Sequence, residues 1–216
     1  MDLSDLRQEY ADRHLDLDHT EENPYRQFER WYKEAESAEL LEPNAMVLGT
    51  IDSKQRSCQR TVLLKSFDER GFVFYTNYGS RKASHIEANP HVSLLFQWLP
   101  LQRQVEVNGM AEKVDPEETA KYFRSRPRGS QIGAWVSRQS QVVSSRSVLD
   151  EKLRELEQRF GDDDIPVPDF WGGYRVRPEH FEFWQGRPSR LHDRIGYQSF
   201  SDSSSGIAWK RIRRSP

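Results

Sequence analysis

The sequence predicts an α+β protein built on an antiparallel barrel with a few peripheral helices. Two observations carry this: about six to eight short strand-like runs recur between turn signals, and a few stretches with helical periodicity interrupt them. A third sets the scale. Only 35% of the 216 residues are apolar against 31% charged, yet 11 Phe, 8 Tyr and 6 Trp are present, enough aromatic area for one core without staples.

Residues 1–22 hold eight Asp and Glu against Arg7 and Arg13. Their sparse apolar residues form no wide stripe, so they read as a mobile acidic arm ahead of a single domain over 23–216. Asn23-Pro24 opens a helix: Asn caps it, Pro occupies the first turn, and Phe28, Trp31, Tyr32 and Ala35 fall at i, i+3, i+4 and i+7. An antiparallel meander follows over 45–51, 57–65 and 72–76, joined by turns at Asp52-Ser53-Lys54-Gln55 and Asp68-Glu69-Arg70-Gly71. Residues 80–89 form a short helix stopped by Pro90, and 91–98 and 103–114 are strands. Asp115-Pro116-Glu117-Glu118 sets acids at the positive end of a helix running to Pro127. Residues 147–160 place Leu149, Leu153 and Leu156 on one helix face, and 161–170 are an exposed loop. Aromatic strands over 172–176 and 181–185 and a last one over 207–212 close the chain.

Several classes are excluded. No window approaches 18 apolar residues, so no membrane-spanning helix is expected. Met1-Asp2-Leu3-Ser4-Asp5 has no basic or apolar leader character, and the single Cys58 excludes an internal disulfide or a cysteine zinc cluster. A reducing, cytoplasmic setting fits. A net charge of −2 supplies no bulk attraction to nucleic acid. Gly-x-Gly-x-x-Gly, Walker, His-Glu-x-x-His and Gly-x-Ser-x-Gly patterns are missing, so neither a dinucleotide fold, a metal nor a serine nucleophile is indicated. Cys58 lies in a predicted strand with no nearby His and reads as inert.

Charge is unevenly placed. Residues 120–146 carry Lys121, Arg124, Arg126, Arg128, Arg138 and Arg146 with no acid, which suits a small-anion site, less well a nucleic-acid face, and equally a solvated basic surface. Arg60-Thr61-Val62-Leu63-Leu64-Lys65 alternates Arg60, Val62 and Leu64 against Thr61, Leu63 and Lys65 on the two strand faces. Tyr75-Thr76 ends a strand, and Ser80-Arg81-Lys82 starts a helix, a good cradle for a phosphate dianion. Tyr122, Arg126 and Ser130 are spaced by four, so a continued helix would align them, though Pro127 bends it; they suffice for a second phosphate. In Arg190-Leu191-His192-Asp193-Arg194, an extended chain would aim both Arg and the His to one side as a cationic wall.

The order of these clusters resembles the pyridoxine/pyridoxamine 5′-phosphate oxidase family. The resemblance also takes in Arg103-Gln104-Val105, Gly133-Ala134-Trp135-Val136-Ser137, Gln139-Ser140, Phe170-Trp171-Gly172-Gly173 and Phe183-Trp184-Gln185-Gly186, and runs from Arg7 to the C-terminus. It implies an FMN-binding split β-barrel, a homodimer with FMN at its interface, and oxidation of pyridoxamine 5′-phosphate or pyridoxine 5′-phosphate to pyridoxal 5′-phosphate with O2 as acceptor. Hydrogen peroxide, and ammonia from the amine, would be the by-products. By the same resemblance FMN would be held by Arg60, Thr61, Val62, Leu63, Leu64, Lys65, Tyr75, Thr76, Arg81, Lys82, Gln104, Gln139, Ser140, Trp184 and Arg194. Substrate phosphate would fall to Lys65, Tyr122, Arg126 and Ser130. Arg190 and His192, with Leu191 between them, would lie over the pyridine ring as the catalytic pair, and Arg7-Gln8-Glu9-Tyr10 would close over the site. The chain departs from the family's usual Arg-Leu-x-Pro ending, with a charge at Arg214. Two rival expectations are another split-barrel flavin reductase, which would not need the second phosphate set, and a non-catalytic FMN or pyridoxal-phosphate carrier.

Overall fold

The computed structural model describes residues 9–11, 13–202 and 206–216. Nine strands form one antiparallel sheet: β1 Ala45–Ile51, β2 Ser57–Leu63, β3 Ser66–Asp68, β4 Gly71–Asn77, β5 His91–Trp98, β6 Arg103–Lys113, β7 Trp171–Gln185, β8 Asp193–Asp202 and β9 Gly206–Arg214. Its path is β2-β1-β5-β6-β7-β4-β3, with β8 on β7 and β9 beyond. β7 is shared, because β4 pairs with residues 171–176 and β8 with residues 180–185. The barrel splits at that strand. Five helices accompany the sheet: α1 Pro24–Ser37, α2 Arg81–Ala88, α3 Pro116–Ser125, α4 Arg128–Val136 and α5 Arg146–Phe160. None is long and apolar enough to cross a membrane.

The Asn23 side chain accepts from the Tyr25 amide at 2.8 Å, which starts α1 where the sequence places it. The buried face of α1 then fills the barrel. Phe28 meets Phe72 and Phe96 edge-on at 4.9 and 4.8 Å, and Trp31 meets Phe183 at 5.3 Å. A second cluster of Phe123, Ile132, Leu156, Phe160 and Trp171 joins α3, α4 and α5 to the start of β7. These two cores fix the walls of a cavity between them.

Four features differ from expectation. The runs at 45–51, 57–65 and 72–76 are not one meander: β2 pairs with β1, whereas β4 pairs with β7 and with the unexpected short strand β3, whose hairpin turn at 68–71 carries the chain to the other end of the sheet path. The runs at 172–176 and 181–185 are one strand, β7, because the ladder with β6 shifts register at Asn108/Gly109 and Pro178 sits at that irregularity. A Cβ on Gly109 would stand 2.0 Å from the Arg177 carbonyl oxygen, so the approach requires glycine. Strand β8 has no expectation behind it, since Gly, Gln and Ser dilute its pattern. The helix opened by Asp115 ends at Ser125, and α4 starts afresh beyond the Arg126-Pro127 corner.

The described part of the acidic segment lies along β8 and β9. Leu15 is buried, its amide donates to Asp193 Oδ2, and Arg211 donates to the Leu17 and Thr20 carbonyls. Arg213 pairs with Asp16 and Asp193. The atypical Arg214 leaves β9 intact, paired with Arg194 and 3.6 Å from Glu182.

Candidate functional site

A cavity of about 1090 Å³ opens between β2, the end of β4, α2 and the α3–α4 corner. Arg60, Lys65, Arg81, Lys82 and Arg126 line it, and among the described residues no carboxylate does. The alternation of β2 turns Arg60 and Val62 half-buried and leaves Thr61 exposed, while Leu64 drops into the barrel core instead of the cavity. Arg60 is held from behind: its Nη1 donates to the Leu48 carbonyl at 3.0 Å and to Thr50 Oγ1 at 2.7 Å. A guanidinium cannot accept, so the Thr50 hydrogen points elsewhere, with the Cys58 carbonyl at 3.4 Å and His85 Nδ1 on α2 at 3.0 Å both in reach. Burial, then Arg60 and Arg81, hold the His85 pKa below the ordinary histidine value, which favours the neutral ring.

The start of α2 is tied to a distant loop. Lys82 Nζ donates to Gln139 Oε1 at 2.9 Å and to Thr76 Oγ1 at 3.1 Å; Thr76 itself donates to Gln139 at 2.9 Å. The Arg81 amide donates to Ser140 Oγ, and Asn77 to the Ser137 carbonyl. Ser140 takes a left-handed φ of 72° to make that turn. Burial, with Arg60 second, pushes the Lys82 pKa down to about 8, and burial also lowers Arg60 and Arg126. Crowded cations without a counter-charge are preorganised for an anion.

Tyr122 on α3, Arg126 in the corner that follows and Ser130 on α4 meet at the same cavity. The Pro127 corner, not a continuous helix face, brings them together. Arg126 Nη1 is buried and has no hydrogen-bond partner.

The remaining expected residues form a second cluster away from this cavity. Gln104, Trp184 and Arg194 stand opposite one another in a row across β6, β7 and β8. Arg194 forks onto Glu182 at 3.0 and 2.9 Å. Tyr10 meets Trp184 and His192 edge-on at 6.0 and 5.4 Å, with Glu9 exposed beside it. Arg7 and Gln8 lie outside the described residues. The expected extended wall of Arg190, His192 and Arg194 is corrected: residues 188–190 make a 3-10 turn with positive φ at Ser189 and Arg190, so regular extension begins only at Asp193. His192 Nδ1 accepts from the Arg187 amide at 3.1 Å, leaving Nε2 to carry the proton of the neutral ring. Burial and then Arg190 lower its pKa. Leu191 is 69% exposed.

Residues 32–160 match the family model described as pyridoxamine 5′-phosphate oxidase, and residues 171–216 match the pyridoxine 5′-phosphate oxidase C-terminal dimerisation region. The chain belongs to the pyridoxamine 5′-phosphate oxidase family. It is 60% identical over 197 residues to the pyridoxine/pyridoxamine 5′-phosphate oxidase of Crocosphaera subtropica, covering 91% of this chain and 92% of that one. It is 56% identical over 215 residues to the same-named protein of Rubrobacter xylanophilus, covering 100% and 97%. Among solved structures, PhzG from Burkholderia lata in complex with tetrahydrophenazine-1-carboxylic acid superposes with a TM-score of 0.86 at 28% identity, covering 95% of this chain and 99% of that one. Family membership accounts for the order of the sequence clusters and for the split barrel together.

Sequence reasoning missed Thr50 and His85, which stand behind Arg60, and assigned no role to Trp171, which lines the cavity. A bulky Trp followed directly by Gly172-Gly173 was the available signal for the last. Nothing local marks the first two.

Proposed function

We propose that this chain is an FMN-dependent oxidase of pyridoxamine 5′-phosphate and pyridoxine 5′-phosphate, a pyridoxal 5′-phosphate synthase that works as a cytoplasmic homodimer. The observation that carries this is one cavity, with no acid among the described residues of its lining, that holds two separate cationic sets, Arg60/Arg81/Lys82 and Tyr122/Arg126/Ser130, with Lys65 also in its wall. One phosphorylated ligand does not need both; a phosphorylated cofactor beside a phosphorylated substrate does. The volume suits two such molecules better than one.

The residues fit FMN. Arg60, Arg81 and Lys82 would hold its phosphate, with Thr76, Gln139 and Ser140 closing around it. FMN supplies two-electron oxidation at C4′ of the vitamer, with dioxygen as terminal acceptor and hydrogen peroxide as product. The chain's own contribution is positioning. Lys65, Tyr122, Arg126 and Ser130 anchor the substrate phosphate, which makes the transfer effectively intramolecular. His192 offers an Nε2 proton donor and Arg190 a cation, to orient the pyridine ring and balance charge at the 4′ substituent. The C-terminal match to a dimerisation region supports the assembly: in a homodimer, the Gln104–Trp184–Arg194 row with Tyr10, Arg190 and His192 would complete the cavity of the partner.

The test is an anaerobic visible spectrum of the FMN-loaded protein with pyridoxamine 5′-phosphate added. Bleaching of the flavin bands, then recovery with peroxide in air, is the expected result. Bound flavin that stays oxidised with both phosphorylated vitamers would overturn the reading in favour of a carrier or a reductase.

A further inference from the structure

Arg126 lacks the partner that a half-buried guanidinium ordinarily has. No carboxylate pairs with it among the described residues, and Nη1 is buried without a hydrogen bond. What holds it is an aromatic face: its guanidinium carbon lies 4.7 Å from the Trp171 ring centroid and 5.6 Å from that of Phe123. The same indole anchors a parallel stack. Tyr75 lies 5.3 Å from Trp171 at 14°, and Tyr122 lies 4.0 Å from Tyr75 at 20°. Trp171 itself is fixed, 8% exposed, with Phe123 edge-on at 5.2 Å. Arg126, on the Trp171 ring, and Tyr122, reached through Tyr75, are both phosphate anchors in the proposed function.

We infer that Trp171 is a positioning residue that sets specificity for the phosphorylated substrate, by holding Arg126 on its ring face and Tyr122 through the intervening Tyr75 ring, while their polar groups stay free. The physical reason is the choice of partner. A carboxylate would fix Arg126 equally well but would occupy its N–H donors and cancel its charge. A cation–π contact uses the guanidinium face and leaves the in-plane donors for a phosphate. Rigid rings also carry little rotamer freedom, so less ordering remains when the anion arrives.

This inference rests on the proposed substrate, and the test separates the two. Wild type, Trp171→Phe and Trp171→Leu holoenzymes are compared for kcat and KM with pyridoxamine 5′-phosphate, for inhibition by unphosphorylated pyridoxamine, for calorimetric Kd of pyridoxal 5′-phosphate, and for FMN Kd. In Trp171→Leu, KM and the product Kd rise together about tenfold, while kcat, FMN Kd and the inhibition constant of pyridoxamine stay within about twofold. Trp171→Phe falls between, because the smaller ring is the weaker cation receptor. Equal losses for phosphorylated and unphosphorylated ligands, or a parallel loss of FMN, would make Trp171 a wall of the fold and overturn the inference. Unchanged KM in Trp171→Leu would overturn it as well. A wild type that binds pyridoxamine as tightly as its phosphate would instead bring down the substrate assignment itself.

Discussion

The ammonium of Lys82 lies 2.9 Å from the Gln139 side-chain oxygen, 57 residues further along the chain. That contact ties the first turn of α2 to the 137–140 loop with no acid involved, and it leaves a cation whose pKa is pushed down to about 8 by burial and by Arg60. A phosphate binds the charged form, and its own second ionisation is near 6. FMN affinity is therefore expected to be flat between about pH 6 and 8 and to weaken as pH rises through Lys82's titration. Fluorescence titration of FMN from pH 6 to 10 checks this. Lys82→Met should bind FMN at least about tenfold more weakly at pH 7 and lose the alkaline slope; a retained slope would place the titration elsewhere. For folding, the sign is opposite. A lysine whose folded pKa is below its unfolded one opposes folding most strongly below both values, so Lys82→Met should raise the Tm of the FMN-free chain at pH 7.

Thr50 is the second shared point, since its hydroxyl both accepts from Arg60 and faces His85. Thr50→Val keeps the shape and removes these bonds together with the weaker one to the Cys58 carbonyl. The expected cost is about 1–2 kcal/mol of stability from the lost hydroxyl bonds, with FMN affinity down several-fold because Arg60 keeps only the Leu48 carbonyl. Chemical denaturation and FMN titration read the two separately. Unchanged FMN binding would mean that Arg60 needs no support from behind.

The expected site residues fall into two clusters, and a homodimer gives that separation a direct test. Arg126→Ala and Arg190→Ala should each be nearly inactive. Dimers reassembled from an equal mixture should recover about a quarter of wild-type turnover, because half are mixed and each mixed dimer has one intact site. No recovery would mean that Arg126 and Arg190 act within one chain, and the proposal of a shared site would be lost.

Stability should depend on Arg175, 7% exposed between two acids. It forks onto Glu118 at 2.8 and 2.9 Å and reaches Asp68 at 3.2 Å. Glu118→Ala should cost about 2 kcal/mol, below the ~3–5 kcal/mol of a fully orphaned buried charge, because Asp68 remains. Replacing both partners of the fork, Arg175→Met with Glu118→Ala, should cost less than Glu118→Ala alone. Urea denaturation of the three variants decides it, and a larger loss in the double variant would refute the account.

By itself the sequence determined what depends on neighbours along the chain. Asn23 caps α1, Phe28, Trp31 and Ala35 face one way at helical spacing, Ser80-Arg81-Lys82 begin a helix, and Pro127 interrupts the one that carries Tyr122. The order of the clusters was enough to point to the family. Tertiary structure decided what depends on strand pairing. β8 carries too little local pattern to declare itself and exists because the 180–185 half of β7 offers it an edge. Thr50 and His85 back Arg60 only because β1, β2 and α2 are brought side by side, and Trp171 meets Arg126 only after the helices fold over the start of β7. The same pairing moved Gln104, Trp184 and Arg194 into a row apart from the cavity: residues opposite one another in a ladder share a face whatever their distance in sequence.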